Sequence, residues 1–226
     1  MRMSPEDLRA SIGAVTSFNG FSDQALELYV GLEADNSKEF WATHKAVWEA
    51  EVRDPMVALL DALEDEFGPG KVFRPYRDVR FSKDKTPYKT SQGAFVGSTL
   101  GIGYYVRLDA HGLLAGGGWR AHEPGQVERY RVAVADDASG PPLVAAVDAL
   151  RAAGFTVEGD PVKTRPRGYP ADHPRLDLLR NRSLMVARSF GAPDWLATPG
   201  ALDQVRTAWR AVTPLASWVT EHVETH

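Results

Sequence analysis

The stretch from Lys71 to Thr90, KVFRPYRDVRFSKDKTPYKT, sets seven Lys or Arg side chains against two carboxylates, Asp78 and Asp84. An arginine offers a planar fork that grips a carboxylate or phosphate through two hydrogen bonds, and a lysine offers a compact point charge. Arg77 and Arg80 are therefore candidate forks, and Lys83, Lys85 and Lys89 candidate point charges, with Asp78 and Asp84 to orient them. A second basic stretch, Lys163 to Arg182, adds Lys163, Arg165, Arg167 and Arg180 as a candidate second wall. Such a set of cations can stabilise an oxyanion. If a proton moves in the same place, Asp78, Asp84 and His173 are the candidate catalytic groups.

Other chemistries find less support. Ser82 has no evident base, and neither an HExxH pair nor a Walker lysine occurs. No spacing of carboxylates and histidines argues for a metal, and no cofactor is expected. Gly116 to Ala121 matches G-x-G-x-x-A, but a dinucleotide fingerprint must open a helix inside a βαβ unit. Here His122-Glu123-Pro124 intervenes and Asp136-Asp137 closes a helical stretch, so these glycines are read as sites of close backbone approach.

The net charge of −4 conceals a segregation: the first basic stretch carries +5 and the second +4, which leaves −13 for the remainder. A surface acidic elsewhere repels polyanions and draws small anions to its basic region. The 226 residues suffice for one large domain, read as 18–226 after an extension over 1–17. The absence of cysteine excludes disulfides, zinc ribbons, iron–sulfur clusters and thiol nucleophiles, and suits a reducing compartment. No apolar run approaches the roughly 20 residues of a bilayer span, and the start lacks a signal-peptide core. A cytoplasmic location without membrane partners is expected.

The elements that must position these residues follow from periodicity. Ser22 is read as the N-cap of a first helix carrying Leu26, Leu28, Tyr29 and Leu32, and residues 1–17 as a tail with a helical turn near Pro5 to Ala10. From Ser37 a 3.6-residue period through Trp41, Trp48, Val52, Met56, Leu59 and Phe67 marks a long core helix. Pro55 should kink or restart it, and Gly68-Pro69-Gly70 should end it. His44 on its stripe reads as a packed residue, and Asn36 as a cap in preference to a site residue. Val72 to Phe81 reads as a strand with Arg74, Tyr76, Asp78 and Arg80 on one side, followed by a loop over 82–88. Gly93 to Gly97, Ile102 to Asp109 and Leu113 to Trp119 complete a meander, with His111-Gly112 as a turn. Helices follow over Pro124 to Ala135 and Pro142 to Ala153, then a strand at Phe155 to Glu158, a short helix from His173-Pro174 and an interior strand at Ser183 to Phe190. Leu202 to Val223 is an amphipathic helix bent at Pro214. The fold class expected is α+β, a mostly antiparallel sheet flanked by helices, including the long N-terminal core helix and the C-terminal amphipathic helix.

Two segments carry a resemblance: Arg77-Asp78-Val79-Arg80-Phe81-Ser82-Lys83-Asp84-Lys85-Thr86-Pro87-Tyr88-Lys89, and Lys163 through Arg167-Gly168-Tyr169 and Asp172-His173-Pro174 to Leu178-Leu179-Arg180. On these the chain resembles the microbial domain-of-unknown-function family numbered 2461, over about Phe18 to Val223. The resemblance implies one domain over nearly the whole chain and a recurrence of the two basic segments together. It implies no activity and no catalytic residues.

Three functions compete. The leading one is a basic pocket, formed by residues 71–90 and 163–182, for a phosphate- or carboxylate-bearing small ligand. The second is nucleic-acid binding, with the cations on phosphates and Tyr76, Phe81, Tyr88, Tyr104 or Tyr169 stacked on bases; the sequence pI of about 5.9 stands against it. The third is a structural or interaction domain in which the basic motif staples the sheet by ion pairs.

Overall fold

The computed structural model describes residues 17–80, 82–97, 101–123 and 125–224. The turn expected near Pro5 to Ala10, together with Phe81 and Pro124, lies outside these residues. Six strands form one antiparallel sheet: β1 (Gly70–Val72), β2 (Ser91–Gly97), β3 (Ile102–Asp109), β4 (Gly112–Arg120), β5 (Thr156–Pro161) and β6 (Asn181–Gly191). Their order across the sheet is β1-β2-β3-β4-β6-β5, so β1 and β5 are its two edges. The α+β class follows from this sheet and the helices packed on it.

Strand alternation gives the sheet one buried face, with Ala94, Val96, Val106, Leu108, Leu113, Ala115, Trp119, Leu184 and Val186 pointing into the core. The helices cover that face. The first, α1 (Asp23–Ala34), and the second, α2 (Lys38–Val47), form a hairpin. A π-helical turn (Trp48–Arg53) then joins α2 to α3 (Asp54–Asp61), and α4 (Glu64–Phe67) ends at Gly68, whose φ of 89° only glycine adopts freely. After the meander come α5 (Gln126–Ala135), α6 (Gly140–Ala152) and the single turn α7 (Leu176–Leu179). The last helix, α8 (Gly200–Val223), returns across β3 and β4 with Val205, Trp209, Val212, Leu215 and Val219 buried.

Four expectations are corrected. Pro55 does stand in the first turn of a restarted helix, α3, but Asp54 is not its cap: the chain widens into the π turn just before it, and Asp54 N–H donates to the carbonyl of Glu49, five residues back. A proline has no N–H and its ring crowds the carbonyl four residues back, and a wider turn moves that carbonyl out of register. Ser22 precedes α1, but its hydroxyl donates to Glu51 at 2.6 Å instead of capping the helix. The strand expected over Val72 to Phe81 ends at Val72; beyond Phe73, whose N–H still meets Gly93 O of β2, the described residues up to 90 form an irregular excursion whose arms touch through a Tyr76–Tyr88 bridge. The helix expected from His173-Pro174 begins at Leu176, because His173 Nδ1 already accepts the Arg175 N–H at 3.1 Å in a local turn.

The glycines of β4 do serve close approach. A Cβ on Gly116 would collide with the Val186 carbonyl oxygen, one on Gly118 with that of Leu184, and one on Gly117 would press on Val212 of α8. They sit in a ladder, not in a strand-to-helix turn, so the dinucleotide reading has no structural basis here.

Candidate functional site

The excursion 73–90 is held by its own charged groups. Arg77 donates from Nη1 to both the Asp84 carboxylate and the Thr86 hydroxyl, and Asp84 Oδ1 accepts the Thr86 N–H at 2.9 Å. Those bonds, the Thr86 N–H foremost, hold the Asp84 carboxyl down to about 2. Arg80 lays its guanidinium along Asp78 (2.9 and 2.7 Å), which likewise lowers that carboxyl. Lys85 Nζ donates to the Val79 carbonyl at 2.9 Å, closing the tip of the loop. Carboxylates held this low are weak bases, so Asp78 and Asp84 are suited to anchoring and not to proton transfer. Lys83 is exposed and makes no ion pair within the described residues.

The base of the excursion is fixed differently. Asn36, in the turn between α1 and α2, accepts the Tyr88 N–H at Oδ1 (3.0 Å) and donates from Nδ2 to the Tyr88 carbonyl (3.1 Å) and to Leu32 O. Its amide thus completes the backbone of Tyr88 as a neighbouring strand would. Ser37, not Asn36, caps α2, its hydroxyl accepting the Phe40 N–H. The Tyr88 ring stacks on Trp41 with centroids 4.5 Å apart, and Trp41 meets Trp48 at 5.4 Å. His44 stacks on Phe40 and bonds its carbonyl, as a packed residue would.

Beside this base, a cleft of about 530 Å³ opens between the edge of β1 and the helical segment facing it. Trp48, Arg53 and Val57 form one wall; Lys71, Val72, Phe73, Arg74, Pro75 and Lys89 form the other. Arg53 is paired with Asp54 at 2.7 Å and Glu49 at 3.7 Å. Among the described residues no carboxylate lies within ion-pair distance of Lys71, Arg74 or Lys89. Lys89 sits over the Phe73 ring at 5.3 Å, and burial, followed by the charge of Arg74, lowers its pKa. Of the cations singled out in the sequence, Lys89 alone lines this cleft; Arg53, Lys71 and Arg74, with Trp48 and Phe73, were not singled out. Lys71 and Arg74 lay within the basic stretch all along, but only the fold separates neutralised cations from open ones.

The second basic segment is elsewhere. It joins β5 to β6 on the far edge, and strand spacing puts that edge about 24 Å from β1. It also lies at the other end of the strands, next to Asn181, whereas the excursion leaves beside Ser91, whose partner Asp109 adjoins the β3–β4 turn. The structure therefore does not bring the two segments together. Arg165 donates to the Tyr169 carbonyl, and Arg180 to the carbonyls of Val162 and Lys163. Lys163 and Arg167 are exposed, and His173 is tied up in its local turn, remote from Asp78 and Asp84. Among the described residues no group of histidines and carboxylates is placed to hold a metal ion. Of the rings expected to stack on bases, Tyr88 is only 6% exposed, Tyr104 packs on Phe67 and Trp209, and Tyr76 is open at 46%.

Residues 24–218 match the family described as conserved hypothetical protein (DUF2461), and the chain belongs to that family. No curated protein and no solved structure matches it. Among the described residues, no helix is long and apolar enough to cross a membrane.

Proposed function

We propose that this protein binds a phosphate- or carboxylate-bearing ligand in the cleft between β1 and the Trp48–Val57 segment, with residues 18–226 acting as one unit. The observation that carries the reading is that Lys71, Arg74 and Lys89 line one cleft and, among the described residues, none has a carboxylate within ion-pair distance, Arg74 feeling Asp78 only at longer range. Like charges gathered in that way are unfavourable until an anion joins them, and Trp48 and Phe73 supply apolar walls against which its body can rest. Among the described residues that line the cleft there is no hydroxyl, histidine or carboxylate side chain, and binding is the activity proposed.

A second reading applies to the neighbouring motif. Arg77, Asp84, Thr86, Lys85 and Val79 bond to one another, which favours the ion-pair staple for these residues over a ligand role. Nucleic-acid binding has weaker support, because Tyr88 is buried, Tyr104 and Tyr169 are partly buried against the core, and Tyr76 is the exposed ring among the described ones.

Thermal unfolding of the wild type and of Lys89→Ala against phosphate, sugar phosphates, nucleotides and small carboxylates tests the reading. A ligand at about 100 times its Kd adds roughly 2.7 kcal/mol of stability. The expected result is that one anion class stabilises the wild type and not Lys89→Ala. If no anion shifts the wild type, or if the variant shifts equally, the cleft is not an anion site.

A further inference from the structure

The backbone of the same cleft carries a second signal. Along the excursion the hydrogen bonds alternate: Phe73 N–H donates to Gly93 O at 3.0 Å, Lys89 N–H to Pro75 O at 2.8 Å and Arg77 N–H to Pro87 O at 2.9 Å. Odd-numbered residues from Phe73 to Arg77 thus face the returning arm, and Val72, Arg74 and Tyr76 turn their N–H and C=O groups the other way. Pro75 restricts Arg74 to the extended conformation that keeps this row straight. Within the described residues no hydrogen bond uses the backbone of Arg74 or Tyr76. The contrast with Tyr88 is direct, since there a dedicated side chain, Asn36, answers both backbone groups.

The row continues on from β1, the edge strand of the sheet, and Arg74 of that row lines the cleft, whose other wall is helical. An edge strand with unanswered backbone groups facing a helix is the arrangement in which an extended peptide is taken up as an added strand. Lys71, Arg74 and Lys89 set the charge such a peptide must have. A single strand of DNA supplies acceptors along its backbone but no donors, and so leaves the carbonyls of Arg74 and Tyr76 unanswered.

We propose that the ligand of this cleft is an extended acidic polypeptide segment, which adds to β1 as a further strand and sets its carboxylates against Lys71, Arg74 and Lys89. This rests on the reading that the cleft takes an anion, and it specifies the source of the carboxylates. Charged residues on a sheet edge also keep sheets from joining one another, and the experiment separates that role from recruitment of a partner.

The probe is a fluorescent heptapeptide of alternating glutamate and threonine, titrated into the full chain and followed by anisotropy. It is compared with the same peptide N-methylated at alternate residues, with N-acetylglutamate and with oligothymidylate. The expected result is binding of the parent peptide, weakened about tenfold by N-methylation on the face that meets β1 and abolished in Lys89→Glu. Amide exchange at Arg74 and Tyr76 should slow with the peptide and not with N-acetylglutamate. If Lys89→Glu fails to fold, the comparison of the two peptides on the wild type still decides. Equal binding of the N-methylated peptide and the parent overturns strand addition, as does tighter binding of oligothymidylate. Binding of small carboxylates without the peptide overturns it while sparing the anion site, and binding of neither overturns both.

Discussion

Lys89 is the residue at which charge and burial conflict. Its folded-state pKa is lowered from 10.5, first by burial and then by Arg74. Between that lowered value and 10.5 the unfolded chain holds more protons than the folded one, so stability should rise with pH across this window and be unaffected well below it. A bound anion reverses the preference, because it favours the charged lysine. Affinity should therefore fall as pH climbs through the same window, and Lys89→Met should lose anion binding without losing stability; titration calorimetry and melting together check both. Asp84 behaves oppositely. Its carboxyl is held at about 2 against an ordinary 3.8, so its contribution is present above about 3.8 and disappears as pH falls toward 2. Asp84→Asn should lack that acid-limb loss in urea unfolding followed against pH. The sequence made the wealth of cations in this stretch visible, but not their partners. Arg77 finds its acid seven residues on, Lys85 finds a carbonyl, and among the described residues Lys71, Arg74 and Lys89 have no carboxylate within ion-pair distance; composition counts charges and cannot pair them.

The π turn is the element that shapes the cleft. Trp48 and Arg53 are five residues apart, which an ordinary helix of 3.6 residues per turn spreads over different faces. In the wider turn the Arg53 guanidinium lies 6.0 Å from the Trp48 ring, and both line the same wall. Deleting Ala50 should restore regular helical geometry and swing Arg53 away. Circular dichroism is expected to stay helical while the anion-induced thermal shift is lost. Asn36 governs the opposite wall. Replacing it with alanine strands the N–H and C=O of Tyr88 beneath the aromatic stack, at about 1–3 kcal/mol, measurable by denaturant unfolding with unchanged far-ultraviolet spectra. Periodicity disclosed the long helix because its buried residues repeat regularly. It did not disclose the widening, which follows from a clash between Pro55 and the backbone behind it. The excursion mimicked a strand for a related reason: Arg74, Tyr76, Asp78 and Arg80 alternate, yet the pairing of Asp78 with Arg80 is a local turn contact and no ladder extends past Val72.

At the scale of the molecule, the meander, the antiparallel class and the two terminal helical regions were legible, because the meander strands β2 and β3 bury residues at alternate positions and the helices bury theirs at helical spacing. The strand order was not. Nothing in the linear sequence announces that β6 slips between β4 and β5, and that insertion carries the second basic segment to the far corner. Arg165→Ala combined with Arg167→Ala should consequently leave anion affinity at the β1 cleft unchanged, whereas Lys71→Ala should lower it; calorimetry on both distinguishes a local site from a general basic surface.

The course of α8 bears on how the protein is made. Its Val205, Trp209, Val212 and Leu215 are the lid over β3 and β4, and Trp209 Nε1 donates to the Tyr105 carbonyl across 104 positions of sequence. A ribosome adds about 5–20 residues per second, so the meander waits several seconds, bare on its apolar face, before its cover emerges. Nascent chains stalled before Gly200 should thus be clients for holding chaperones, and the last helix decides when the newborn protein is safe from aggregation.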